Sequence, residues 1–399
     1  MADIPLESPK KNPPQPLLER LGVLYFRRMS ASLPRVDATD AIYVLNADER
    51  KALASLVRGA VVRAGLAGAA SALLAAAAEA YAEKTFGSTH ATTDVALRYW
   101  GIVVGVTVIA AILEILFLYW DSLRTVHRMA RAAGYDPFGE NAAEGQNAVA
   151  SALARAALEL PNPTESVFGV NPHREASKIK LLLASLLYKI KVSITNFAVK
   201  LVVRRIAGRA LVRTWLLPFL AIPGTAAWNG IVCYIVLREA RIRVMGPSAA
   251  HELVAAIFDQ KMTLSQQARI TMVRAVASSI VRTEDLHPNL QAVLVEVVKR
   301  IEDPLPEGID DSLVFLAKLK QLSPTEQKMA LQILATAAVI DGRFSGTEKH
   351  LVREALLACG LPPNLDPVHR LRRAFIRGDG SLDKLVRGLF SPAGGEGGR

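Results

Sequence analysis

The segment that decides the architecture is YWGIVVGVTVIAAILEILFLYW, residues 99–120, in which Glu114 is the single charged side chain. The 20 steps from Trp100 to Trp120 cover about 30 Å of helix, the thickness of the hydrocarbon core of a bilayer. A Tyr-Trp pair stands at each end, and both residue types are enriched at membrane–water interfaces. The pattern predicts a transmembrane helix over 99–120, and the alternative is a buried helix of a soluble domain.

A second apolar segment, residues 60–82, precedes this one and is rich in alanine. Alanine contributes little to membrane insertion, but small residues let two helices approach closely. The two segments predict a transmembrane helical hairpin over 46–134, with spans at about 60–82 and 99–120 and a connection near 83–97. Basic residues flank the hairpin, which places both flanks in the cytoplasm (Arg50, Lys51, Arg58, Arg124, Arg128 and Arg131).

Two charges fall inside the predicted spans. Arg63 and Glu114 have similar depth in this topology, and because a charge is costly there, we expect them to form an intramembrane pair. In the alternative, Arg63 extends to the interface and Glu114 faces a polar crevice. Gly101 and Gly105 form a GxxxG pattern, which predicts self-association through close helix approach.

The composition limits the class of protein. Of 399 residues, 51% are hydrophobic, which excludes a disordered chain, and two cysteines are too few for a disulfide framework. Lys and Arg outnumber Asp and Glu by 48 to 37, so lipid or nucleic acid is the expected anionic surface. No nucleotide-binding, zinc-protease or nucleophile motif occurs, so nothing in the sequence argues for enzymatic activity, and we expect no catalytic residue, no metal and no cofactor. We expect residues 1–45 to be a mobile segment and residues 391–399 a disordered tail.

Residues 135–247 combine basic amphipathic and apolar character. Ten Lys or Arg and one acid lie between residues 174 and 213, separated by aliphatic residues. This composition favours an anionic bilayer surface, with Lys189, Lys191, Arg204 and Arg205 as lipid contacts. A solvated basic face and a nucleic-acid interface are the alternatives, and the aliphatic rather than aromatic spacing disfavours nucleic acid.

The uncharged run at 215–237 is long enough to span a membrane, but Pro218 and Pro223-Gly224 interrupt it and both flanks are basic. We expect a broken hairpin that re-enters or lies on the membrane surface, and a single crossing is the alternative. Ile222, Pro223, Gly224 and Asn229 resemble a helical segment of the EcsC-like family. That resemblance implies membrane association.

Residues 248–390 show the apolar spacing of soluble helices. Ser323-Pro324-Thr325-Glu326 and Ser345 with Glu348 predict capping boxes that begin two helices, with Asp341-Gly342 as the turn between them. The stretch 337–342 (AAVIDG), Phe344-Ser345 and Glu348 resemble the TerB-like (tellurite-resistance) family. The resemblance implies a helical domain linked to envelope and chemical stress, with weak metal binding through Asp341 and Glu348, although Arg343 stands where a further acid often sits.

The sequence therefore predicts an all-α protein: a membrane hairpin, a re-entrant or surface hairpin, and a soluble TerB-like domain. We expect a bacterial-type membrane-anchored scaffold or stress-response protein, multi-pass in the cytoplasmic membrane, with both termini in the cytoplasm. The expected partners are membrane lipids, another protein, and further copies of the chain through Gly101 and Gly105. The alternatives are a peripheral lipid- or nucleic-acid-binding helical protein and a transport path that uses Arg63 and Glu114.

Overall fold

The computed structural model describes residues 17–32, 42–86, 93–135, 146–160, 162, 166–174, 217–259, 263–301 and 303–390. Within these ranges every extended regular element is an α-helix, which confirms the all-α prediction. In chain order the helices are α1 (Leu17–Ala31), α2 (Ala47–Phe86), α3 (Thr93–Ala132), α4 (Gln146–Ala157), α5 (Leu217–Phe258), α6 (Gln266–Thr283), α7 (Pro288–Ile301), α8 (Ser312–Lys320), α9 (Pro324–Val339), α10 (Gly346–Ala358), α11 (Asp366–Arg377) and α12 (Leu382–Gly388).

The predicted hairpin is formed by α2 and α3, two helices of 40 residues each that pack against one another. Asn46 caps α2, because its side chain accepts from the N–H groups of Asp48 and Glu49, and Glu49 returns a bond to the Asn46 N–H. In the described part of the chain, α2 and α3 are the two helices found to be long and apolar enough to cross a membrane, by length and composition. Only 33% of the most apolar window of α2 and 17% of that of α3 are buried, far less than in the core helix of a soluble protein.

The broken hairpin predicted at 215–237 is wrong for the described part of that run. Residues 217–237 form the first half of α5, a single helix of 42 residues that continues through Pro223. Proline at that position removes one hydrogen bond near the start of the helix, and packing against α2 keeps the segment helical. Gly65 and Gly230 mark this packing: a Cβ atom on Gly65 would lie 3.3 Å from the Ala226 carbonyl oxygen, and one on Gly230 would lie 3.4 Å from Val61. The contacts run in opposite chain directions, so α5 is antiparallel to α2.

The second half of α5 packs with the helices α6 to α12 to form the C-terminal helical unit. The predicted boundary at 247/248 therefore falls inside a helix. Leu253 and Ile257 are fully buried there, and this half packs against α7, α9 and α12. Pro247 lies in the middle of α5, and the side chain of Asn289 donates to the Ile242 carbonyl one turn earlier. Gly246 makes this approach possible, because a Cβ atom there would overlap the Asn289 amide.

The core of the C-terminal unit is built around α6 and α9, whose residues are almost all buried between 271 and 281 and between 329 and 339. Both predicted capping boxes are confirmed: Ser323 with Glu326 begins α9, and Ser345 with Glu348 begins α10. The turn between them has Gly342 at a φ of +72°, a conformation that favours glycine, and a Cβ atom there would also overlap Ile242 of α5. The Asp-Gly turn therefore packs on the long helix.

The prediction that residues 1–45 form a mobile segment is wrong for two of its parts. Helix α1 packs against α3 and α4 with Gly22, Phe26 and Ser30 buried at four-residue spacing. Just before α2, the Leu45 N–H donates to the Gly378 carbonyl over 3.0 Å. This short segment before α2 therefore packs on the C-terminal unit. The amphipathic spacing of α1 provides the packing energy that a mobile segment would lack.

Candidate functional site

The charge pair predicted between Arg63 and Glu114 is replaced by two separate polar contacts. The Arg63 guanidinium donates from Nε to Asp121 over 2.9 Å and from a terminal nitrogen to Thr125 over 3.3 Å. Asp121 is buried, whereas the Arg63 side chain is 43% exposed. Asp121 lies two turns beyond Glu114 on α3, so the register of the hairpin brings Arg63 to the basic end of the predicted span rather than to its middle.

Glu114 instead marks the point where three helices meet. Asn229 of α5 donates its side-chain amide to Glu114 Oε1 over 2.7 Å, and both residues are buried. Gly68 of α2 lies opposite, and a Cβ atom there would come within 2.5 Å of the Asn229 nitrogen and 3.0 Å of the Thr225 carbonyl oxygen. The sequence placed Asn229 only within the EcsC-like resemblance; the signal that could have singled it out is an amide inside an uncharged run.

The outer surface of this three-helix bundle is apolar. On α3 the exposed residues include Trp100, Ile109, Leu113, Leu116 and Trp120. The outer faces of the other two helices are of the same kind, with Val62, Leu66, Leu73 and Leu74 on α2 and Trp228, Ile231, Tyr234 and Ile235 on α5. A monomeric soluble protein rarely exposes an apolar patch this long, and the buried side of α2 consists mostly of alanine with Gly68 and Ser71.

A groove of about 420 Å³ lies between α2 and α3. Its walls are mostly aliphatic or alanine, and Arg63 and Glu114 are the two charged residues among its lining. The two residues of the predicted pair therefore border one groove, although each has a different partner. Gly101 and Gly105 have nothing within 4 Å of the position of a Cβ atom, so the described chain packs no side chain at these two positions. Self-association through them stays a prediction.

The lipid-surface residues predicted from charge, Lys189, Lys191, Arg204 and Arg205, lie outside the described residues. Of the basic run at 174–213, the structure describes Arg174. Arg174 pairs with Asp310 and, over 3.2 Å, with Asp311 of the C-terminal unit. This end of the region therefore contacts protein.

The turn between α9 and α10 holds Asp341 and Glu348 near enough for the charge of one to act on the other. Asp341 accepts from the Arg343 N–H over 2.7 Å, and Glu348 accepts from the Ser345 N–H over 2.7 Å. Burial raises the pKa of Asp341, and burial followed by the charge of Asp341 raises the pKa of Glu348 to about 7. Both acids bond within the turn and the helix cap. Among the described residues no group of three or more His, Cys, Asp or Glu side chains that could hold a metal ion occurs.

A buried polar cluster beside this turn was missed by the sequence reasoning. Glu239 of α5 lies 2.8 Å from His287 Nε2 and accepts from Arg243 over 3.1 Å and from Arg343 over 3.3 Å. Burial alone would raise the pKa of Glu239, but the hydrogen bond from His287 and the neighbouring positive charges hold it well below its usual range. The members come from three separate parts of the chain, and only the i,i+4 spacing of Glu239 and Arg243 is visible in the sequence.

The same cluster also connects α5 to α4, the helix that follows the hairpin. Arg243 also donates to the Ala152 carbonyl of α4 over 2.9 Å and to the Asn162 side chain over 3.0 Å. Helix α4 in turn packs on α1 and α3 at the end of the hairpin. Comparison with protein-family models, with curated proteins and with solved structures gave no match for this chain.

Proposed function

We propose that this protein is a membrane-anchored scaffold whose helical C-terminal unit binds a partner at the cytoplasmic face of the membrane. The observation that carries the proposal is the apolar, largely exposed outer surface of α2 and α3, together with an interior of small and polar residues. In water this surface would be a large unfavourable exposure, whereas in lipid it needs no protein cover.

The contacts between the two units support a topology with both ends of the hairpin on one side. Leu45, just before α2, bonds to Gly378 of the C-terminal unit, and α4, which follows α3, packs on α5. Both hairpin ends thus meet the same helical unit. The excess of basic residues at these ends supports the cytoplasm as that side.

We assign the partner-binding role to the C-terminal unit because α5 connects this unit to the three-helix bundle in one continuous helix. The TerB-like resemblance of residues 337–348 extends the proposal to the response to envelope or chemical stress, as an adaptor rather than an enzyme. The charged groups there serve caps, turns and the joint around Glu239, which fits a rigid platform.

Fractionation tests the anchoring. We expect the protein to stay with the membranes through an alkaline carbonate wash and to require detergent for extraction, and release into the soluble fraction would reject the proposal.

Protease treatment tests the sidedness. The C-terminal unit should be protected in intact cells and cleaved after the cells are opened, and cleavage in intact cells would place it on the other side.

A further inference from the structure

Helix α1 has an exposed face that nothing in the described chain covers. Leu17, Leu21 and Leu24 lie on that face at helical spacing and are 76%, 60% and 56% exposed. The opposite face is buried through Gly22, Phe26 and Ser30 against α3 and α4. The helix is therefore held firmly by its inner side while it presents leucines outward.

The charges of α1 are sorted in the same way. Its single acid, Glu19, is buried and bonds to Arg155 over 2.7 Å and to Ser151, both of α4. The basic residues Arg20, Arg27 and Arg28 lie on the exposed side. The outward surface thus combines leucines with positive charge alone, which is the composition of a helix that binds an anionic bilayer surface.

The position of α1 on α3 places this surface at the depth of the bilayer interface. Gly22 lies against Leu123, and Phe26 and Ser30 lie against His127, with the Ser30 hydroxyl 2.9 Å from its Nε2 atom. These positions begin one turn after Trp120, whose ring is 5.2 Å from the Arg124 guanidinium. The two helices advance in the same direction here, so the half of α1 that bears the leucines and Arg20 lies on the side of the apolar span, and Arg27 and Arg28 lie farther from it.

We propose that the exposed face of α1 lies in the headgroup layer of an anionic membrane, with its leucines among the acyl chains and its arginines on lipid phosphates. This inference rests on the proposed anchoring by α2 and α3 and adds a second membrane contact to it, at the level of the interface. Through Glu19, Ser151 and Arg155, the contact would fix α4, and with it the C-terminal unit, at a set angle to the membrane. The exposed face of α1 carries no acidic side chain, which favours an anionic membrane over a protein partner.

The test uses the full-length protein in nanodiscs, with Cys233 and Cys359 replaced and a single fluorescent label at Leu21→Cys. Matched labels at Leu113→Cys and Leu313→Cys report the proposed span and the exposed surface of the C-terminal unit. We expect lipids brominated on the acyl chain to quench the labels at 21 and 113 but not at 313. In discs that contain phosphatidylglycerol, Arg20→Gln and Arg28→Gln should each lower the ratio of quenched to unquenched label at 21 about fivefold, whereas the label at 113 should not change.

Each result separates the inference from the proposed function. Quenching at 113 with a label at 21 that stays accessible to aqueous iodide would overturn the inference and leave the anchoring intact. Absence of quenching at 113 would overturn the anchoring itself. A label at 21 that is shielded from both iodide and brominated lipid would show a protein on this face and also overturn the inference.

Discussion

The three-helix bundle and the C-terminal unit are built in opposite ways. In the bundle, much of the interior consists of alanines such as Ala60, Ala64 and Ala72 with Gly68 and buried polar groups, and many large aliphatic side chains face outward. In the C-terminal unit most large aliphatic side chains are buried.

Helix α5 shows both arrangements within one element. Its first half buries Thr225 and Asn229 and exposes Trp228, Ile231 and Ile235. Its second half buries Met245, Leu253 and Ile257. Because the hydrophobic effect drives burial only where water is the alternative, the reversal along a single helix is the pattern that the proposed change from lipid to water near residues 237–239 would produce.

The largest effect should come from a charge on the outside of the bundle. Ile109→Lys adds a charge at the middle of the predicted span, which costs about 3 kcal/mol of insertion free energy. The matched change Leu313→Lys, at a residue that is even more exposed, should alter stability by no more than about 0.5 kcal/mol. Membrane insertion and detergent-solubilised yield measure the first, and thermal unfolding measures the second. Equal and small effects at both sites would remove the distinction between the two surfaces.

The next effect concerns close packing. Gly68→Leu drives a side chain into Asn229 and the Thr225 carbonyl, and we expect it to destabilise the bundle by about 2 kcal/mol. Gly101→Leu is the control, because open space surrounds that position, and it should be neutral or gain up to about 1 kcal/mol of helix propensity. Thermal unfolding in detergent compares the variants. A lower oligomeric state of Gly101→Leu in size-exclusion chromatography would support self-association through that glycine, whereas similar losses at both glycines would contradict the packing described.

Two buried asparagines give a comparison of polar contacts in the two regions. Asn289 donates to the Ile242 and Ile340 carbonyls at 3.0 and 2.8 Å, and Asn289→Ala should cost about 2 kcal/mol because it leaves both acceptors buried. Asn229→Ala removes the bond to Glu114 and should cost only about 0.6 kcal/mol, the average for such bonds in membrane bundles. Amide hydrogen exchange of α7 and of α5 measures the two losses. A larger loss of stability at Asn229 would indicate that the bundle is surrounded by water rather than by lipid.

The last effect is a pH dependence of the C-terminal unit. The pKa of Glu348 is raised from 4.5 to about 7, so the folded state binds this proton more tightly than the unfolded state. The stabilisation is present below pH 4.5 and is lost as the pH rises through 7. Glu348→Gln keeps an oxygen for the Ser345 N–H, and above pH 7 it should stabilise α10 by on the order of 1 kcal/mol.

Hydrogen exchange of α10 across pH 5 to 8 measures this difference. Glu239 and Glu326 have lowered pKa values, so their effect falls at more acidic pH and does not overlap this window. A parent protein whose α10 gains stability between pH 5 and 7 would contradict the assignment.

The sequence was sufficient for the features that depend on local pattern. The helical hairpin and the boxes at Ser323 and Ser345 follow from composition and spacing, and all are present. The partner of Arg63 could not be predicted, because a hairpin with an uncertain connection leaves the register of its helices open by about two turns. Pro223 suggested a break because the packing that keeps this segment helical comes from a distant part of the chain, the face of α2 that carries Val61 and Gly65.

Helix α1 shows the same limitation from another side. Its spacing of Gly22, Phe26 and Ser30 was visible, but the surfaces that bury them belong to α3 and α4. The cluster around Glu239 is likewise assembled from α5, His287 and Arg343, which no local pattern connects.

The central claim is that lipid surrounds the outer face of α2 and α3. Spin labels at Ile109→Cys and Leu313→Cys, in protein that lacks the two native cysteines and is reconstituted in liposomes, test it through collisions with oxygen and with a water-soluble nickel chelate. The account predicts that the label at 109 collides mainly with oxygen and that the label at 313 collides mainly with nickel. A label at 109 that is as accessible to nickel as the one at 313, or inaccessible to both reagents, would contradict it.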